Sequence, residues 1–319
     1  MALSSVSRVR TVRPDGTPVF RHEPSVGAAS VAVVRLDSRS EHGWRPPERP
    51  HAHDFLVLLY VERSAGAITV DGAERALRDG EVHALSPGQV IDVGATAHPA
   101  GLRAWSAAFT PDAVPDLAAA SPLTWTHHPL LALFATGQGV VDERHRGRWS
   151  ARFAELAEEL ADPSRLGARE AVAALLTQIL VDAARLAPVV PPAPDPLVER
   201  VFEEIEASFR EPVSAADVAR SLGYTPGHLT TVVRERTGRP LLEWITERRM
   251  TEVRRLLRET DLPLGVVAAR TGLRDATYLV RRFRDRYGTT PERWRRAQRS
   301  GNITGNPSGN PASSSAVAE

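Results

Sequence analysis

Val218-Ala-Arg-Ser-Leu-Gly-Tyr224 and Val267-Ala-Ala-Arg-Thr-Gly-Leu273 are two versions of one phrase, and each opens a longer stretch of shared grammar. The first runs on through Thr225-Pro-Gly-His-Leu-Thr-Thr-Val-Val-Arg-Glu-Arg-Thr-Gly238 to Trp244. The second runs through Arg274-Asp-Ala-Thr-Tyr-Leu-Val-Arg-Arg-Phe-Arg-Asp-Arg-Tyr-Gly288 to Trp294. The turn glycines, Gly223 and Gly272, stand 49 residues apart, and the closing glycines, Gly238 and Gly288, stand 50 apart. Each copy reads as a short helix with Ala at a close-packing position (Ala219, Ala268), a Gly that permits positive φ, and a second helix closed by another Gly. That is helix-turn-helix grammar, assigned to residues 216–237 and 264–287.

In the first copy Leu229, Val232 and Val233 face inward, which leaves Gly227, Thr230, Thr231 and Arg234 on the open face. In the second Tyr278, Leu279 and Phe283 face inward, leaving Ala276, Thr277, Arg281 and Arg282. Between the copies, Pro240 to Glu259 reads as one helix about 27 Å long. As a rigid spacer it suits two recognition helices set near the roughly 34 Å pitch of B-DNA, with its arginines expected on phosphates.

Charge supports a polyanionic partner. The 319 residues carry a net charge of only +1, but residues 197–299 hold 21 Arg against 15 acidic residues, whereas residues 1–196 hold 19 against 23. Residues 274–299 alone hold nine Arg against Asp275, Asp285 and Glu292. The chain has no Lys and no Cys, so lysine Schiff-base chemistry, P-loop phosphate binding, disulfides and thiolate metal sites are all excluded.

The segment from Gly223 to Arg296 resembles the DNA-binding domain of AraC/XylS-type transcription regulators, and the resemblance spans roughly 197–299. It implies double-stranded operator DNA as partner, with Gly227, Thr230 and Thr231 of one helix, and Ala276, Thr277, Tyr278 and Arg281 of the other, at base edges. RNA polymerase is an expected second partner. One position departs from the family pattern: residue 273, usually Phe, is Leu here.

Upstream, five prolines between Pro188 and Pro196 forbid a continuing helix and mark 188–196 as an interdomain linker. Residues 25–110 read as short strands broken by turns, among them Asp71-Gly72 and Pro87-Gly88, and suit an antiparallel barrel or sandwich. Residues 1–24 are taken as an N-terminal arm. In 111–187, helices are expected over Trp149–Ala161 and Ala168–Leu186. The second is apolar over a broad arc, which suits packing on the barrel and leaves room for a homodimer seam. The tail, 300–319, is Gly/Ser/Asn-rich and expected to be disordered. The fold class is therefore α+β multidomain: a cupin-like antiparallel β-barrel with flanking helices, then an all-α domain with two helix-turn-helix units.

His51-Ala-His53 resembles the HxH opening of a cupin barrel, the usual sensing domain of this regulator family. A metal-binding cupin adds a carboxylate where this chain has Leu58 and a third His where it has Ile91. No metal and no cofactor are therefore assigned, and His51 and His53 are read instead as contacts for a small organic effector. Trp44, Phe55, Tyr60 and Trp105 are expected to line its pocket. No catalytic residue is assigned. The expected function is an effector-controlled, sequence-specific transcription regulator; the alternative is a metal-dependent cupin enzyme with an appended DNA-binding domain. No stretch reaches the roughly 18 apolar residues of a membrane span and the N-terminus lacks an export h-region, so the cytoplasm is the expected location.

Overall fold

In the computed structural model, the described residues are 7–13, 15–22, 30–37, 49–93, 101–188, 195–237 and 239–300. All of the expected disordered tail but Ser300, which ends a helix, lies outside them, as does most of the proline-rich linker. The first half holds strands β1 (Ser7–Val12), β2 (Pro18–His22), β3 (Val31–Asp37), β4 (His51–His53), β5 (Leu56–Arg63), β6 (Ala67–Val70), β7 (Ala73–Ala76), β8 (Glu81–Leu85), β9 (Val90–Asp92) and β10 (Arg103–Phe109). Short helices α1 (Pro115–Ala119) and α2 (Ala132–Thr136) follow. Then come strand β11 (Gln138–Val140) and the longer helices α3 (Glu143–Ala161) and α4 (Ala168–Ala184). The strands form two sheets, β1-β2-β4-β9-β6-β7 and β11-β8-β5-β10-β3. All pairings are antiparallel except β2 with β4.

Within the arm expected at 1–24, Ser7–Val12 and Pro18–His22 are strands of a sheet: β1 and β2 pair with each other, and β2 continues onto β4. Their arginine-rich sequences hide the strand signal, because an edge hairpin tolerates charge on its open face. At the tip between β6 and β7, Asp71 (φ 51°) and Gly72 (φ 82°) both adopt positive φ, the signature of a type I′ hairpin.

Strand β5 explains the two-sided core. Its run Leu-Val-Leu-Leu-Tyr-Val is buried throughout, and alternate residues serve different clusters. Val57, Leu59 and Val61 join Val34, Ile68, Val70, Leu85 and Ile91 between the two sheets. Leu56, Leu58 and Tyr60 point outward beneath the helices, meeting Trp149 and Phe153 of α3 and Leu176, Ile179 and Leu180 of α4. The broad apolar arc of α4 is thus largely taken up by the chain's own sheet. Asp182, buried on that helix, accepts from Arg152 of α3.

The second half is helical: α5 (Pro196–Ser208), α6 (Ala215–Ser221), α7 (Pro226–Thr237), α8 (Leu241–Glu259), α9 (Leu264–Arg270), α10 (Ala276–Tyr287) and α11 (Pro291–Ser300). Asp195 caps α5, accepting from the amides of Leu197 and Val198, which fixes where the linker ends. Ser214 and Asp217 form a capping box at α6. Two separate cores result. Leu241, Trp244 and Ile245 of α8 close the first, with α5 to α7. Met250, Val253, Leu256 and Leu257 of the same helix close the second, with α9 and α10. Leu123, from a 3-10 turn of the N-terminal half, is buried in the first of these cores.

Candidate nucleic-acid interface and effector face

The repeated sequence phrase produces a repeated geometry. Ala219 and Ala268 are buried where the short helix of each unit meets the longer one. The residue after each turn glycine closes the turn on that Ala: Tyr224 N donates to Ala219 O at 2.8 Å, and Leu273 N donates to Ala268 O at 3.0 Å. Gly223 and Gly272 have φ of 78° and 68°, as a non-glycine residue rarely does. Leu273, at the position where the family usually carries Phe, is buried in the second core and fills the same apolar role.

In α7 the residues Gly227, Thr231 and Arg234 are exposed, and Thr230 is half-buried beside them. In α10 Thr277 and Arg281 are exposed, with Ala276, Tyr278 and Arg282 half-buried. Leu229 and Val233, and likewise Leu279 and Phe283, are buried on the opposite sides of these helices. Each unit therefore presents an open face of the size that enters a major groove. Tyr278, half-buried against the second core, also serves the open face. Its hydroxyl accepts from Arg282 Nε at 3.0 Å, and the guanidinium groups of Arg274, Arg281 and Arg282 lie 5.7, 5.4 and 5.3 Å from its ring. The ring gathers three cations at the N-terminal part of the helix, where Asp275 caps the first turn by accepting from Tyr278 N.

The expectation that the arginines of α8 serve phosphates is corrected for Arg248, Arg249 and Arg254 by their partners, whereas Arg255 and Arg258 stand exposed. Arg248 forms two hydrogen bonds with Glu206, and Arg249 donates to the carbonyls of Phe209, Glu211 and Val213. Arg254 pairs with Asp112, and Arg255 with Glu252 and Glu259. Arg248 and Arg249 thus tie α8 to α5 and the loop after it, Arg254 reaches the N-terminal half, and Arg255 pairs along its own helix. A helix shared by two cores has little open surface, and the linear sequence does not show that.

In the first half His51 and His53 come together, their rings 4.9 Å apart, and His53 stacks on Phe55 at 4.6 Å. His51 Nδ1 lies 3.0 Å from the Arg49 carbonyl, so that nitrogen carries the proton and Nε2 is left as an acceptor. Burial lowers the His51 pKa. It pushes His53 down to about 3, with the neighbouring His51 adding to the effect. Both imidazoles are neutral near pH 7. Ile91, in place of a third cupin His, pairs across from His51 and belongs to the apolar layer between the sheets. Leu58 points to the other side of its sheet.

Two of the expected pocket residues do not belong with them. Tyr60 and Trp105 sit opposite each other in register on β5 and β10, on the outward face, and stack on Phe153 of α3 at 6.0 and 6.1 Å. Strand parity decides this: Tyr60 shares the face of Leu56 and Leu58, away from the histidines. Trp44 lies outside the described residues. His22 and Phe20 of β2 were missed by the sequence reading; their rings lie 5.7 Å from those of Phe55 and His51 respectively. The parallel pairing of β2 with β4, which brings them there, has no local sequence signal.

Comparison with known proteins follows the same division. Residues 37–180 match the family model described as an AraC-like ligand binding domain, and residues 218–297 match a helix-turn-helix domain. The Arabinose operon regulatory protein of Escherichia coli K12 is 25% identical over 256 residues, covering 78% of this chain and 82% of that protein. Multiple antibiotic resistance protein MarA of the same organism is 28% identical over 104 residues, 33% of this chain and 82% of MarA. Among solved structures, the C-terminal domain of AraT, a response regulator from Geobacillus stearothermophilus, is 26% identical with a TM-score of 0.32, covering 33% of this chain and 88% of that one. No helix of the described residues is long and apolar enough to cross a membrane. With a ligand-binding family match over the sheets and a helix-turn-helix match over the duplicated units, the chain belongs to the AraC family: it is a DNA-binding transcription regulator with an N-terminal ligand-binding domain.

Proposed function

We propose that the protein reads two successive major-groove segments of an operator with α7 and α10, under the control of a small organic effector bound by its N-terminal half. The observation that carries this is the pair of matching open faces on α7 and α10, whose separate cores share α8. Thr231, Arg234, Thr277 and Arg281 stand exposed while the opposite sides of both helices are buried. Thr230 and Arg282 flank these contacts, and Gly227 and Ala276 let the backbone approach the bases. Tyr278 acts as the platform that orders Arg281 and Arg282. An Arg held in this way favours a bidentate contact with guanine.

The effector meets His51, His53 and Phe55. Two neutral imidazoles beside an apolar layer suit an uncharged or weakly polar molecule that donates a hydrogen bond to His51 Nε2, and they suit a metal ion poorly. The N-terminal half therefore binds rather than catalyses. The protein acts in the cytoplasm as a homodimer, with RNA polymerase as its partner at the promoter. Selection of duplexes from a random library by the full chain tests the central reading: two conserved blocks about one helical turn apart are expected, and a single block or none would overturn it.

A further inference from the structure

Asp54 directly follows the His51-Ala-His53 strand, is buried, and has both of its polar ends held by arginines of the DNA-binding half. Its carbonyl accepts from Arg239 Nη2 at 3.1 Å, and its carboxylate accepts from Arg286 Nη1 at 3.2 Å. Arg239 stands two residues past the end of α7, and Arg286 is the penultimate residue of α10. One residue of the sensing half thus grips the C-terminal ends of both reading helices. Glu247 of α8 completes the cluster by accepting from Arg286 at 3.0 and 3.2 Å. Burial opposes ionisation of Glu247, but the charges of Arg286 and Arg239 hold it down at about 2. A second fastening lies alongside, where Arg254 of α8 pairs with Asp112 at 3.1 Å.

The other side of Asp54 is tied to the effector face. Asp54 N donates to Phe20 O at 2.9 Å, and Gly88 N donates to the carbonyl of His53 at 2.8 Å. Asp54 therefore moves with the strand that carries the two histidine rings.

We propose that Asp54 is the positioning residue through which the effector face sets the disposition of the two reading helices relative to each other. The proposal rests on the reading of His51 and His53 as that face. Helices α7 and α10 belong to separate cores whose common element is α8, so a bridge that grips both ends fixes an angle that α8 alone leaves soft. Buried charge pairs tolerate little displacement, and a shift of β4 must either carry both arginines with it or break the pairs. The open faces of α7 and α10 remain exposed in this docked arrangement. Docking is therefore the state that reads two blocks at a fixed separation.

The test uses the full chain and the duplex that it selects from a random library. Asp54→Asn keeps the carbonyl for Arg239 and removes the charge facing Arg286. It should bind that duplex about tenfold more weakly and accept duplexes with a base pair inserted between the blocks, which the unaltered protein rejects. Arg286→Gln approaches the same bridge from the other side and should behave alike, so a folding failure of one variant leaves the other as the test. By reciprocity of coupling, adding the duplex to the unaltered protein should shift the ring C–H resonances of His51 and His53, and Asp54→Asn should abolish the shift. Unchanged affinity and spacing in a folded variant, or histidine resonances that ignore the duplex, would overturn the role of Asp54 alone. A full chain that selects no sequence would instead overturn the DNA-reading function itself.

Discussion

Gly223 and Gly272 occupy equivalent places in the two reading units, yet replacing each by alanine should have very different consequences. At Gly223, φ is 78° and a Cβ would meet nothing within 4 Å. The penalty is that of a left-handed alanine, about 1–2 kcal/mol. At Gly272 a similar φ of 68° is joined by a collision, because a Cβ would lie 2.3 Å from Phe209 O and 2.6 Å from Glu211 O. Those carbonyls cannot retreat easily, since Arg249 donates to both of them, at 2.9 and 2.7 Å. Overpacking adds about 1–3 kcal/mol, so Gly272→Ala should lose about 2–5 kcal/mol in total. Urea unfolding followed by far-UV circular dichroism, on the full chain, measures the difference between the two variants. Losses equal to within about 1 kcal/mol would refute the claim that the second turn is wedged against the pinned loop.

Arg281→Ala should weaken base discrimination in the second block by about 1–3 kcal/mol, read as a flattened preference at one or two positions in binding to single-base variants of the selected duplex. Tyr278→Phe, which keeps the ring but removes the acceptor for Arg282 Nε, should weaken binding by about 1 kcal/mol, and Tyr278→Leu by more, in a fluorescence anisotropy titration. Residues 195–300 alone should bind duplex DNA with an affinity that falls steeply as salt rises, because their arginines displace condensed counterions; a flat salt response would refute phosphate contact. Burial pushes the buried His22 down to about 4 from an ordinary 6.5. Between those values the unfolded chain binds the extra proton and the folded one does not, so stability should decline as pH falls from about 6.5 toward 4, by up to about 3 kcal/mol. His22→Phe should remove that part of the pH slope in unfolding experiments.

The C-terminal half was legible because its signals are local: Ala219 and Gly223, or Ala268 and Gly272, lie within one turn of each other, and the spacing alone dictates the packing. The strands were legible for the same reason, β5 from its unbroken apolar run and β6 from the alternation of Ile68 and Val70 with Thr69. Tyr60 and Trp105 were misplaced because their aromatic character was weighed without the parity of the strands that carry them. Strand β7, Ala-Glu-Arg-Ala, carries a helix-favouring composition and forms a strand only because the type I′ turn before it folds it back onto β6. Arg254 read as a phosphate contact with the rest of its helix, and Arg239 and Arg286 read only as part of the basic surplus of residues 197–299. Each finds a carboxylate or carbonyl partner in the other half of the chain, at Asp54 or Asp112, and no short-range pattern announces such a pairing. The same distance hid Asp54, which in sequence is merely the residue after a histidine pair.

Helix α8 runs for 19 residues, about 28 Å, without a glycine or a proline at which to kink. Its length is below the roughly 34 Å between successive turns of a major groove, and its flanks are consumed by the two cores it closes. A rod of this kind does not stretch to fit its target. In the proposed two-groove reading the mismatch would fall on the duplex, which would curve toward the protein, and smooth bending over a site of this size costs on the order of 1–6 kcal/mol depending on the steps being bent. Base pairs between the two proposed blocks would thereby gain a vote in which promoters are chosen: flexible pyrimidine–purine steps there should favour binding, and a stiff A-tract should oppose it.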